Sequence, residues 1–229
     1  MKELDIINTF NISNSYYCLE REKNILFLKS KVNLKWKPFW IDFLSNDILR
    51  RKGDFNQELI KAVGLKKNTS LNILDTTAGL GRDSFILASC GAKITMLERN
   101  KIIYLLLQNG LERAKENDNI KNIIDNISLV NQDSIEYLQN KLDNVDIIYI
   151  DPMFPQSNKS RLVKKDMQIF RDIVGDDLDS KRLLELALKQ QVKKVVVKRM
   201  LKSPYINDYK PNFELKGTTT RFDIYIINK

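Results

Sequence analysis

The chain has 229 residues, 43% of them hydrophobic, enough for one good-sized packed domain with an appendage. Two cysteines and no histidine leave little material for a zinc site or a disulfide framework and exclude Ser-His and Cys-His catalysis, so no metal is expected and a reducing cytoplasm suits the composition. A formal net charge of +9 points toward an acidic partner such as RNA or DNA, although drift toward Lys in an AT-rich coding sequence would raise the charge without any ligand.

The opening "MKELDIINTF" lacks the charged-then-apolar pattern of a signal peptide. No apolar run approaches the roughly 18 to 20 residues of a membrane span, so no membrane and a cytoplasmic location are expected. Residues 1 to 65 read as a small N-terminal α+β extension and residues 66 to 229 as the main domain. Within the extension, "ILFLKSKVNLKWKPFWIDF" predicts two or three short strands broken by Pro38. Trp36, Phe39 and Trp40 are expected to pack in the core rather than stack on bases. "DFNQELIKAVG" predicts a helix with Asp54 as cap, Phe55, Leu59, Ile60 and Val63 on one face, and Gly64 as stop.

From about residue 70 the pattern becomes strand, loop, helix, repeated. Strands are predicted in "LNILDTTAG", "KITMLERN", "NISLVNQDS", "DNVDIIYIDP" and the Val-rich "KKVVVKRM". Helices are predicted in "RDSFILASCG", "KIIYLLLQNGLERAKEN", "SIEYLQNKL" and "DSKRLLELALKQQ". The end, "NFELKGTTTRFDIYIIN", alternates and turns at Gly217 to Thr220, which predicts an antiparallel pair. The fold class is therefore α/β: a mostly parallel sheet of seven strands, covered on both faces, with a C-terminal antiparallel hairpin. Ligands of such sheets sit beyond the carboxyl ends of the strands, so the acids at four strand tips are the candidate site.

Asp75 ends the first of these strands, and Gly79 and Gly81 let the backbone turn sharply against a ligand before a helix opens at Arg82 or Asp83. Asp83 also suits a helix cap, and Arg82 a solvated charge. The turn lacks the third Gly of the dinucleotide fingerprint and the Lys-Ser/Thr of a P-loop. Glu98, at the second tip and about 20 residues past the Gly turn, is placed as the acceptor for a ribose hydroxyl pair. At the third tip, Asp133 suits either an adenine amine or a helix cap, and Ser134 either a ligand contact or a cap. At the fourth, Asp151 and the carbonyls held by Pro152 can accept both hydrogens of an exocyclic amine, while Phe154 offers a face for a flipped base. No side chain here is a good nucleophile, so the electrophile must come from a cofactor.

The Asp-Pro-Met-Phe turn resembles the Asp/Asn-Pro-Pro-aromatic motif of amino-group methyltransferases that use S-adenosylmethionine, with a Rossmann-like class I fold. "DTTAGLGRDSFILASCGAKITMLERN", "DPMFP", "KSRLVKKDMQIFRDIVGDDLDSKRLLELA" and "KKVVVKR" together resemble the ribosomal RNA small subunit methyltransferase J family over about residues 50 to 202. The resemblance implies methyl transfer from S-adenosylmethionine to the N2 of one guanine in 16S rRNA, with free rRNA or the 30S particle as partner. It implies cofactor contacts at Arg82, Asp83, Glu98, Arg99, Asp133, Ser134 and Asp151. The first 45 residues match this family poorly.

Lys159, Arg161, Lys164 and Lys165 follow the fourth-strand turn, and Lys198, Arg199 and Lys202 follow the fifth strand. As a cluster beside the cleft they are candidates to meet RNA phosphates. Three other readings share parts of this pattern. They are an amino-group methyltransferase acting on adenine N6 in DNA or a protein amide, a nicotinamide-dependent oxidoreductase using Glu98, and a non-catalytic RNA-binding relative.

Overall fold

The strand order of the main sheet is β5-β4-β3-β6-β7-β9-β8, with β3 (Asn72–Asp75) near its centre. This computed structural model describes residues 16–33, 35–153, 173–174 and 179–227. β4 (Lys93–Leu97), β5 (Ile127–Val130), β6 (Ile147–Ile150) and β7 (Lys194–Met200) run parallel to β3. β9 (Thr220–Ile226) lies antiparallel between β7 and β8 (Phe213–Lys216), which is the expected C-terminal hairpin. The chain leaves β3 in one direction through β4 and β5, then returns to β3's other side at β6. That reversal opens a crevice at the strand tips.

Period-2 alternation decides which face each residue covers. Ile147 and Tyr149 join one hydrophobic cluster, while Ile148 and Ile150 join the other. The first cluster is closed by α2 (Glu58–Val63), α3 (Arg82–Ser89) and α4 (Lys101–Lys115). The second is closed by α7 (Ser180–Leu188) through Leu183, Leu184, Leu186 and Ala187. Both faces are dry, which is why β6 reads as an unbroken apolar run.

The N-terminal part pairs β1 (Tyr17–Glu22) with β2 (Ile25–Ser30), and β2 is extended by a bridge from Leu28 to Phe39. Strand β1 precedes the stretch predicted to hold strands. The hairpin packs on α4, where buried Asn109 accepts from Leu26 N at 2.9 Å and donates to Asn24 O at 2.8 Å. Gly110 sits where a Cβ would come within 3.0 Å of Ile41 O, so its lack of a side chain lets the two segments close. Phe43 stacks on Phe85 of α3, with ring centroids 5.5 Å apart, and these residues share one core with the main sheet. Phe39 is buried and Trp36 is half-buried against that core, but Trp40 is exposed, contrary to the packing expected for it.

Four helices differ from expectation. A single turn, α1 (Asn46–Leu49), precedes α2. Helix α2 starts at Glu58 with Gln57 as its N-cap, because Asp54 instead closes a local turn by accepting from Asn56 N at 2.9 Å. Gly64 ends it in the left-handed conformation, as predicted. Between α4 and β5 lies a further single turn, α5 (Lys121–Ile124). Helix α6 (Ser134–Tyr137) stops after one turn rather than running to Leu142. There Gln190 takes over the backbone, donating to Leu138 O at 2.7 Å and accepting from Leu142 N at 3.3 Å. Among the described residues no helix is long and apolar enough to cross a membrane.

Candidate active site

Beyond the strand tips lies a cleft of about 470 Å³, within the size range of small-molecule sites. It is lined by residues from all four tips, including Asp75, Gly79, Arg82, Asp83, Glu98, Arg99, Asp133, Ser134, Asp151 and Pro152. The first strand contributes a turn held from within. Asp75 is buried and accepts from Ser84 Oγ at 2.6 Å and Thr77 N at 3.0 Å. Burial pushes its carboxyl up to about 6, against the pull of those two hydrogen bonds. Asp75 therefore braces the turn as well as lining the cleft.

Gly79 and Gly81 both have positive φ, at 53° and 68°. Gly81 caps α3, and a Cβ there would lie 2.8 Å from Leu107 Cδ2 and 3.0 Å from Phe43 Cζ. It faces the core behind the turn, unlike the ligand-facing place expected for it. The Glu98 carboxylate, buried at the end of β4, accepts from Gly79 N at 3.2 Å and Asn100 N at 2.7 Å. The Gly turn and the acid are thus one assembly.

At the third tip, the capping reading of Asp133 is the one seen: its Oδ1 accepts from Ile135 N at 2.8 Å and Glu136 N at 3.2 Å. Ser134 is buried and donates to Thr76 O at 2.6 Å, tying α6 to the first turn. Arg99 bridges two acids, reaching Asp179 at 2.5 Å and Asp133 at 3.6 Å. These contacts hold the three residues at the rim of the cleft.

The fourth tip carries the most charge. Asp151 N donates to Thr77 Oγ1 at 2.6 Å, which joins the tips of β3 and β6. Its carboxylate receives Lys198 Nζ at 2.8 Å, and the same ammonium reaches Asp83 at 2.6 Å. Asp83 also accepts from the buried Tyr149 hydroxyl at 2.7 Å, and Arg51 stands 3.8 Å away. Burial alone would raise the Asp83 carboxyl, but the Lys198 ammonium and the hydrogen bonds more than offset this and hold it low. Burial likewise opposes the Lys198 charge, yet Asp83 and Asp151 push its pKa up. Tyr149 is pushed well above the usual phenol range by burial and then by its anionic neighbours.

Two cations expected to meet RNA phosphates are placed elsewhere. β7 is an interior strand between β6 and β9, so Lys198 projects into the floor of the cleft and Arg199 is buried, donating from Nη2 to Pro204 O at 2.5 Å. Phe154, Lys159, Arg161, Lys164 and Lys165 lie outside the described residues. The sequence reading missed Tyr149, Arg51 and the inward turn of Lys198. A lone hydroxyl in "IIYI" and a lone ammonium in "VVVK" were the available signals, since buried polar tips need partners. No metal-binding cluster occurs among the described residues.

A cofactor bearing a sulfonium, a ribose and an amino-acid tail suits these residues: carboxylates line the cleft at each strand tip, and a glycine turn lies beside buried Glu98. A seven-stranded sheet in this order, with its acids gathered at the crossover, defines the class: an S-adenosylmethionine-dependent methyltransferase. The family described as "Putative SAM-dependent methyltransferase" matches residues 4–227. A ribosomal RNA small subunit methyltransferase J from Francisella philomiragia is 39% identical over 227 residues, covering 96% of this chain and 95% of that one. Its counterpart from Tolumonas auensis is 41% identical over 199 residues, covering 85% and 80%. A crystal structure of a SAM-dependent methyltransferase from Neisseria gonorrhoeae superposes with a TM-score of 0.74 at 30% identity, covering 93% of this chain and 84% of that one. The chain belongs to the ribosomal RNA small subunit methyltransferase J family. That membership sets aside the nicotinamide-dependent reading.

Proposed function

We propose that the protein methylates the exocyclic N2 of one guanine in 16S rRNA, within the rRNA or the 30S particle, in the cytoplasm. The observation that carries this is the Asp151 carboxylate, half-exposed in the same cleft as Gly79 and Glu98. Relatives named for ribosomal RNA and the net charge of +9 support an RNA substrate.

S-adenosylmethionine, when bound, would supply an electrophilic methyl carbon for the amine nitrogen, with S-adenosylhomocysteine as the leaving group. The residues of this chain supply alignment, and alignment alone is worth about 7 to 11 kcal/mol in favourable cases. Asp151 accepts hydrogens of the amine and favours the positive charge that grows on nitrogen as it bonds to carbon. That nitrogen then loses a proton to Asp151 or to water. Pro152, buried, holds the turn, and Phe154 is assigned to stack the base. Glu98 and Asp133 receive hydroxyl and amine hydrogens of the cofactor, with Arg82, Asp83, Arg99 and Ser134 completing its rim. Lys159, Arg161, Lys164 and Lys165, just past the turn, are assigned to RNA phosphates.

The test offers labelled cofactor with naked 16S rRNA, 30S subunits and duplex DNA, followed by nucleoside mass spectrometry. N2-methylguanine in rRNA supports the proposal, and label in DNA alone overturns the substrate. Asp151→Ala is expected to lower kcat by about a hundredfold or more while changing S-adenosylhomocysteine affinity far less. An unchanged rate removes Asp151 from the mechanism.

A further inference from the structure

Lys198 is an unusual residue for its place. It lies in an interior strand, in the run "KVVVKRM", and its side chain is only 25% exposed. A buried ammonium is costly unless anions surround it, and a buried ion pair seldom adds net stability over apolar residues of the same size. Stability therefore gives little reason for a lysine here. Its contacts suggest another role, because both of its carboxylate partners line the cleft.

The two carboxylates are not equivalent. Asp83 is the more buried, with a side chain 14% exposed against 38% for Asp151. Asp83 is also held from behind by the Tyr149 hydroxyl, which fixes it to β6 from within the core. It serves as the anchor. Asp151 stands at the open side, and Lys198 takes its Oδ2, which limits how that carboxylate can rotate. We propose that Lys198 is a positioning residue for methyl transfer, anchored by Asp83 so that its ammonium aims the Asp151 carboxylate at the substrate's amine. The inference rests on the proposed role of Asp151.

Charge accounting supports the same assignment. Two carboxylates share one ammonium, with Arg51 3.8 Å from Asp83 as a further cation. Without the ammonium, Asp83 and Asp151 would face each other as like charges, with buried Asp75 close enough to add to the repulsion. Tyr149 stays neutral, and Arg51 stands 3.8 Å from Asp83. Repulsion would then raise the pKa of one of the carboxylates, as it does in paired acids. A protonated Asp151 donates one hydrogen and no longer receives both hydrogens of an amine.

The experiment compares Lys198→Met, Lys198→Gln and Lys198→Arg with Asp151→Ala and the unaltered protein. Methyl transfer to 30S subunits and to 16S rRNA is followed from about pH 5 to about pH 9 at saturating cofactor. S-adenosylhomocysteine affinity and Tm are measured alongside. Lys198→Met is expected to lower kcat by about 10- to 100-fold near pH 7, with the acid limb of the profile displaced upward so that part of the loss returns at high pH. Lys198→Gln keeps hydrogen-bond donors without charge, so it is expected to show the same displacement and carries the test should the Met variant fail to fold. Lys198→Arg is expected to recover most of the rate, and S-adenosylhomocysteine affinity is expected to stay within about threefold in all three. An unmoved acid limb in the neutral variants, or a pH-independent loss that tracks a lowered Tm, overturns the proposal. If Asp151→Ala retains full activity, the failure lies in the role given to Asp151.

Discussion

Glu98 holds Gly79. The carboxylate at the tip of β4 accepts the backbone N–H of the glycine turn at 3.2 Å, across 19 residues of sequence, while its second oxygen takes Asn100 N. One buried acid thereby sets the shape of the turn and presents its remaining lone pairs to the cleft. Glu98→Gln keeps a carbonyl acceptor but loses the charge. Charged hydrogen bonds are worth about 1.5 to 3 kcal/mol, so S-adenosylhomocysteine affinity is expected to fall by roughly 10- to 100-fold. Isothermal calorimetry checks this, and an unchanged affinity rejects the cofactor role.

Gly81 tests the packing behind that turn. Its positive φ and the close approach of Leu107 and Phe43 leave no room for a methyl group. Gly81→Ala is expected to lower stability by about 1 to 3 kcal/mol, from strain and overpacking together. The urea midpoint reads the loss, and a midpoint equal to that of the unaltered protein contradicts it.

Asn109 links the N-terminal hairpin to the main domain. Replacing it with Ala strands the buried Leu26 N–H, at about 1 to 3 kcal/mol for an unpaired buried group, and removes the partner of the carbonyl of exposed Asn24. Amide exchange at Leu26 and its hairpin neighbours is expected to quicken more than exchange in β6. Uniform exchange across both regions would show that Asn109 does not control docking.

Asp75 gives stability a defined pH dependence. Its folded carboxyl holds a proton up to about 6, against an ordinary value near 3.8. Between those values the folded state binds more protons than the unfolded chain, so stability falls as pH rises through the window and stays lowered above it. The full effect is on the order of 3 kcal/mol. Asp83, held low, acts only at more acidic pH and in the opposite sense. Asp75→Asn is expected to gain stability relative to the unaltered protein when urea unfolding is compared at about pH 5 and about pH 8. A difference that does not change with pH rules out this assignment.

Much of this architecture is legible along the chain because its causes are local. Apolar runs bounded by glycines and acids mark β3 to β7, and alternation marks the final hairpin. The four tip acids follow, since each ends a strand and a parallel sheet gathers such ends on one side. Helix ends were less legible where a distant side chain overrides propensity. Gln190 cuts short the helix that opens at Ser134, and Asp54 prefers a turn to a cap.

Sequence by itself determined the sheet, the crevice and which acids stand at its mouth, because period and punctuation are properties of neighbouring residues. Tertiary structure alone decided the partners of those acids. Tyr149 and Lys198 read as one more aromatic and one more surface charge until β6 and β7 lie side by side beneath α3. Only then do a phenol, an ammonium and two carboxylates meet in a partly buried space, where each polar group finds another. Which of them meet is set by strand register and by the handedness of the crossover, and neither is written in any single segment.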